Sequence, residues 1–198
     1  MMDVRDQLND RGARGPRAGT SASSPASPPA APNGSSPAAL DPDQFRSILG
    51  RFASGVTVVT AVTEDEPVGF TCQSFSSLSL EPPLVAFAPA RTSRTWSRLR
   101  AIGQFCVNVL AEGQDDLSQR FARSGPDKFD GAQWTLSPHG NPVLDGVVAW
   151  IDGELWAEYD GGDHTIAVAR VLDLGAHPDR HPLLYHRGSY GLLHRSEA

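Results

Sequence analysis

Two clusters of side chains and one turn carry the residue types that could do chemistry. From Gly69 to Phe87 the chain reads Gly-Phe-Thr-Cys-Gln-Ser-Phe-Ser-Ser-Leu-Ser-Leu-Glu-Pro-Pro-Leu-Val-Ala-Phe, with hydroxyls at Thr71, Ser74, Ser76, Ser77 and Ser79. Small side chains let a flat ligand approach the backbone, and hydroxyls with amide N–H groups suit an acceptor-rich ring edge or a phosphate. A plain Ser-rich turn between two strands has the same composition. The second cluster, Arg91-Thr92-Ser93-Arg94-Thr95-Trp96, stands just before a helix. Its hydroxyls, guanidiniums and free helical N–H groups suit a phosphate, and they equally suit an ordinary N-cap with solvated arginines. The turn is Gly162-Asp163-His164, where a carboxylate adjoins an imidazole at a hairpin tip. A metal site is not expected. The histidines are scattered, and Pro178 and Pro182 break any helix that would align His177 with His181.

These residues need a scaffold, and the pattern predicts one. Asp41 caps a helix begun by Pro42, with Phe45, Ile48, Leu49 and Phe52 at helical spacing and Gly55 at its end. Strands are expected over 56–62, 68–73 and 84–88, the first two joined by a charged turn at 63–67. A helix over 92–102 turns Trp96, Leu99 and Ile102 inward. A strand over 104–110 and a short helix over 114–122 follow. The loop 124–132 is long enough for a lid or a subunit contact. A strand from Val143 and then over 147–159 pairs through the turn 160–163 with a partner over 164–174. Segments 183–186 and 190–193 close the chain. About seven strands, mostly neighbours in sequence, with three interspersed helices indicate a mainly β, antiparallel barrel or sandwich.

Composition narrows the classes. The 198 residues suffice for one well-buried domain. A net charge of -6 leaves no footprint for nucleic acid or an anionic membrane, and no apolar run approaches the roughly 20 residues that span a bilayer. Cys72 and Cys106 sit in apolar strands and read as reduced thiols of a cytoplasmic protein. Residues 1–39 are rich in Pro, Ser and Ala, too poor in apolar surface to offset ordering entropy, and are expected to be a disordered extension ahead of a domain at 40–195. No G-x-G-x-x-G follows a strand, and there is neither a P-loop nor a G-x-S-x-G elbow.

From about Phe45 to Leu193 the chain resembles the flavin reductase-like, FMN-binding split-barrel family. The resemblance rests on Arg51-Phe-Ala-Ser-Gly-Val-Thr-Val-Val-Thr60, the 69–87 segment, Phe105-Cys-Val-Asn-Val-Leu110, Lys128-Phe129 and the Gly162-Asp163-His164 hairpin, in that order. It implies an antiparallel split β-barrel and a homodimer with flavin at the subunit interface. The implied activity is hydride transfer from NADH or NADPH to FAD or FMN, with reduced flavin passed to a separate monooxygenase or halogenase. Carried over residue by residue, the flavin rings and ribityl chain fall to Phe70, Thr71, Cys72, Gln73, Ser74, Ser76, Ser77 and Ser79, with Ala88 beneath the ring. Ser93 and Thr95 serve the phosphate, and Tyr190 stands beside the flavin. His164 serves the nicotinamide nucleotide by donating to its carboxamide or pyrophosphate, with Asp163 fixing the turn and the tautomer. The family commonly has Ala-Asn where this chain has Cys72-Gln73, and a glycine where it has Ala169. The same fold also serves pyridoxamine-phosphate-oxidase-like and deazaflavin-dependent enzymes, and non-enzymatic flavin- or haem-binding modules.

Overall fold

The first helix, α1 (Pro42–Leu49), starts as its sequence dictates: the Asp41 side chain accepts from Asp43 N at 3.1 Å, with Pro42 in the first turn. It stops at Gly50 rather than Gly55. Turn bonds from Arg51 N to Ile48 O and from Phe52 N to Leu49 O redirect the chain into a short strand, β1 (Ser54–Gly55). None of its residues is buried, so the apolar set Phe45, Ile48 and Leu49, read at helical spacing, is left uncovered among the described residues. The structure is a computed structural model that describes residues 40–64, 66–125 and 127–191. The expected extension 1–39, and the end of the last expected strand at 192–193, lie outside the described residues.

Next come β2 (Thr57–Val62), β3 (Pro67–Cys72), β4 (Ser76–Leu80), β5 (Pro83–Phe87), α2 (Arg94–Ile102), β6 (Gln104–Val109) and α3 (Asp115–Ala122). A 3-10 turn at Asp127–Phe129 leads to β7 (Trp134–Leu136), β8 (Pro142–Leu144), the long hairpin β9 (Ala149–Gly161) and β10 (His164–Ala176), and the closing pair β11 (Leu184–His186) and β12 (Ser189–Gly191). The described residues thus form twelve strands where the periodicity gives about seven. Two differences matter. The Ser-rich segment is not a turn: its second half pairs with β5, Ser76 opposite Ala86 and Ser77 opposite Val85, because ladder bonds override the weak strand preference of serine. The β7–β8 hairpin escapes the pattern because three-residue strands carry no readable alternation.

Seven strands form one antiparallel sheet in the order β3-β2-β6-β9-β10-β5-β4, whose two edges are β3 and β4. Alternation along β2 sends Val59 and Ala61 to one core and Val58 to the other. In the first core Phe87, Trp96 and Phe105 pack edge to face, with ring centroids 5.3–6.0 Å apart. Trp96 and Leu99 bind α2 to this core, whereas Ile102 is exposed, contrary to its expected inward placement. The second core sets Phe121 of α3 against Val56, Val58, Leu110 and Leu183.

A buried polar knot ties the β7–β8 hairpin to the sheet. Asn108 Nδ2 donates to Thr60 Oγ1 at 2.9 Å, Leu144 N donates to Asn108 Oδ1 at 2.8 Å, and Thr60 Oγ1 donates to Pro142 O at 2.5 Å. Beside it, Asn141 Nδ2 donates to Asp152 Oδ1 at 3.1 Å.

Candidate functional site

A cavity of about 1350 Å³ opens along the edge strand β3, between α2 and the C-terminal end of α3. From β3 and the residues just beyond it come Phe70, Thr71, Cys72, Gln73 and Ser74; from the connection into α2 come Ala88, Ser93 and Thr95. His164 enters from β10 and Tyr190 from β12. Ten expected site residues, spread over 120 positions of sequence from Phe70 to Tyr190, therefore share one wall system. Ser76, Ser77 and Ser79 do not line it in this chain; they lie along the edge strand β4. Asp163 reaches the cavity only through His164.

The hydroxyls of β3 are already engaged. Thr71 Oγ1 donates to Ser118 O at 2.6 Å, so toward a ligand it offers only lone pairs. Ser74 Oγ accepts from Ala88 N at 2.7 Å, donates to Ala88 O at 3.2 Å, and stands 3.2 Å from Cys72 Sγ. With the thiol as donor, every position of that hydroxyl is filled, and Ser74 acts as a clasp between the ends of β3 and β5. Burial pushes the Cys72 thiol up, which keeps it a neutral S–H. Thr57 Oγ1 donates to Cys72 O at 2.7 Å and fixes the same corner from behind.

The start of α2 is built differently. Ser93 Oγ accepts from Trp96 N at 3.1 Å and Ser93 O accepts from Ser97 N at 3.2 Å, so that among the described residues the Ser93 hydroxyl proton and the first N–H groups of the helix have no partner at the cavity. That donor set matches an anion. The surroundings agree. In a chain of net charge -6, the cavity gathers Arg94, Arg98, Arg123 and Lys128. Arg91, the first arginine of the expected phosphate cluster, instead faces Asp160 at 3.5 Å in a separate small recess.

His164 is held by the hairpin that carries it. Gly162, at φ 79°, makes the tight turn, and Gly162 N donates to Asp160 Oδ1 at 3.0 Å. Thr165 N donates to Pro89 O and Arg91 N to Asp163 O, which staple the hairpin tip to the strap leading into α2. His164 Nδ1 lies 2.7 Å from Asp163 Oδ1. An ionised carboxylate only accepts, so Nδ1 carries the proton and Nε2 of the neutral ring is an acceptor. The expected donor role is therefore open only to the imidazolium. This imidazole contact holds the Asp163 carboxyl below its ordinary value, first by hydrogen bonding and then by charge.

Several lining residues were not anticipated. Ser118, buried on α3, accepts from Tyr190 Oη at 3.0 Å through its Oγ and so links Tyr190 to Thr71. Lys128 Nζ donates to Gly69 O at 3.1 Å and to Phe121 O at 3.2 Å, and burial pushes its pKa down. These bonds, with Phe129 stacked edge-on against Phe121 at 4.9 Å, anchor the segment expected to be a lid or subunit contact on the barrel. Arg94 belongs to the phosphate cluster already read, and its spacing of four to Arg98 on one helix was the signal that could have added the second arginine; the buried serine left no trace in the pattern.

Comparison with known proteins meets this geometry from outside. The model of the flavin reductase like domain matches residues 49–194. The reductase subunit HsaB of a flavin-dependent monooxygenase from Rhodococcus jostii is 51% identical over 152 residues, covering 77% of this chain and 78% of that protein. Among solved structures, nitrilotriacetate monooxygenase component B from Mycobacterium thermoresistibile aligns with a TM-score of 0.75 at 45% identity, covering 79% of this chain and 90% of the other. The NADH:FAD oxidoreductase SgcE6 of Streptomyces globisporus aligns with a TM-score of 0.75 at 37% identity, over 81% of this chain and all of that one.

Proposed function

The chain belongs to the flavin reductase like domain family, and from that premise we propose that it is the reductase component of a two-component flavin-dependent monooxygenase. It takes NADH or NADPH and FAD or FMN as substrates and supplies reduced flavin to a separate oxygenase. One observation carries this reading: the anion-ready start of α2, the braced corner at Cys72–Ser74 and the oriented His164 all open on one cavity.

The residues present fit a flavin nucleotide. Ser93, Thr95 and the first N–H groups of α2 would hold its phosphate. Ala88 leaves room for a planar ring, and Gln73, whose side chain has no protein partner among the described residues, would meet the ring edge. When bound, the flavin accepts a hydride from the reduced nicotinamide, and a solvent proton completes its reduction. The protein's own work is positioning. Ser74 and Thr71 hold the β3 corner rigid, Asp163 fixes the tautomer of His164, and His164 Nε2 would accept from the carboxamide of the nicotinamide.

The active unit is a homodimer. Phe45, Ile48 and Leu49 of α1 are each more than half exposed, and Leu80 on the edge strand β4 is 93% exposed, apolar surface that a second subunit would cover. Ser76, Ser77 and Ser79 lie on that same strand, where a second subunit would meet them. Two buried free thiols suit the reducing cytoplasm. Among the described residues no helix is long and apolar enough to cross a membrane.

Purified protein should oxidise NADH only when flavin is added and, without oxygen, bleach the flavin stoichiometrically. NADH consumption that ignores FAD and FMN alike would overturn the reading.

A further inference from the structure

The cavity does not end at the phosphate seat. Its roughly 1350 Å³, against the ~300–1,000 Å³ of a cleft for one small ligand, suits two nucleotide substrates together. Beyond Ser93 it follows α2 for one more turn. Arg94 and Arg98 stand four residues apart on the helix face that lines it. Arg98 Nη1 donates to Glu66 Oε1 at 2.9 Å, and Nη2 donates to Thr63 Oγ1 at 3.1 Å. The Thr63 hydroxyl donates to Glu66 O at 2.9 Å and accepts from Glu66 N at 3.2 Å, which fixes the turn that presents the carboxylate. Glu66 Oε2 has no protein donor among the described residues, and Glu66 lines the cavity.

This far end has its own chemistry. Guanidiniums on a helix face suit a second phosphate, and a carboxylate oxygen held open suits the vicinal hydroxyls of a ribose. We infer that the Arg94–Arg98–Glu66 end of the groove is a subsite for the adenosine monophosphate half of FAD, and that this chain binds FAD in preference to FMN. The inference rests on the reductase reading above. Reduced nicotinamide dinucleotides carry an adenosine half of the same chemistry, but placement favours the flavin. The subsite continues from the phosphate seat on the same helix. Glu66 precedes β3 and Gln73, at the ring end, follows it, about 20 Å apart at ~3.3 Å per strand residue; His164, bridged to Ala90, stands beside the strap into α2.

Direct binding tests this without turnover. FAD and FMN are titrated into the protein and followed by fluorescence quenching, and KM for NADH is measured in parallel. The wild type should bind FAD about tenfold more tightly than FMN. Arg98→Met should raise the Kd for FAD about tenfold, leaving Kd for FMN and KM for NADH in place. Glu66→Gln, which keeps a partner for Arg98, should weaken FAD selectively and so covers a failure of the first variant to fold. Equal affinity for the two flavins, or equal weakening of both, overturns the inference. A rise in KM for NADH alone would give the subsite to the nicotinamide nucleotide and overturn it as well. Failure of the underlying reading looks different: neither flavin would bind at all.

Discussion

Replacing Ser93 separates two jobs done by one hydroxyl. Its oxygen caps α2 by accepting from Trp96 N at 3.1 Å, and loss of such a cap to alanine costs about 1 kcal/mol. In a domain of this size that lowers Tm by roughly 2–4 °C. Its proton is not used by the cap, and the side chain lines the cavity. Donation to a phosphate is charge-assisted, contributing about 1.5–3 kcal/mol, so Ser93→Ala should raise the Kd for FMN roughly 10- to 150-fold. Riboflavin lacks the phosphate and should bind the variant as it binds the wild type.

Ser93→Gly makes the separation sharper. Glycine at an N-cap costs only a few tenths of a kcal/mol relative to serine, so this variant should melt near the wild type and still lose FMN affinity. Thermal melting of the free protein reads the cap, and flavin fluorescence quenching reads the seat. If riboflavin weakens as much as FMN, or if Ser93→Gly binds FMN normally, the start of α2 is not the phosphate seat.

Three further outcomes rest on the same wall and its neighbours. A Cβ at Gly69 would meet the Phe121 ring at 2.9 Å and Val59 O at 3.0 Å; since the carbonyl belongs to a paired strand and cannot yield, Gly69→Ala should lose about 1–3 kcal/mol in urea unfolding. His164→Ala should raise KM for NADH about tenfold, the worth of one hydrogen bond left unmade, while Kd for flavin holds; an unchanged KM removes the role given to the hairpin. Both thiols are pushed above their ordinary value of 9.0, Cys72 by burial and Cys106 by burial and then the charge of Asp152. Above that value the unfolded chain sheds protons that the folded chain keeps, so stability falls as pH rises, by up to about 1.4 kcal/mol per pH unit for each thiol. Lys128, pushed below its ordinary 10.5, acts in the opposite sense and flattens the fall until that value is passed. Cys106→Ala should make the alkaline loss shallower in denaturant titrations at stepped pH, and an unaltered slope would show that its thiol does not carry it.

What the sequence made legible were long, two-sided elements. The alternation of Val56–Val62, the Phe105–Leu110 run and the hairpin around Asp160–Asp163 all appear within a residue or two of their expected ends, because both faces or a tight turn constrain them. Elements decided by pairing partners far away were not legible. Serines of β4 become a strand only because β5 offers its ladder, and Asn108 buries its amide only because Pro142 and Leu144 come back across the sheet. Phe45, Ile48 and Leu49 show the complementary failure: helical spacing identifies an apolar stripe but not what covers it.

The hydroxyl cluster on which a sequence reading fastens is therefore only half a binding site. Thr57, Thr71 and Ser74 each donate to a backbone carbonyl, and none keeps a free proton for a ligand. Their small size clears space at the edge of β3, and their bonds stop that edge from fraying where the sheet ends. The available donors stand across the groove, at Ser93 and the first turn of α2, and the cations stand farther along at Arg94 and at Arg98, the latter paired with Glu66. A catalyst that only aligns two planar substrates needs this division, since a hydroxyl that held both the strand and the ligand would let go of one whenever it served the other. The rigid wall and the binding wall are separate elements joined at Ala88, and the Ser74 clasp on that residue sets the width between them.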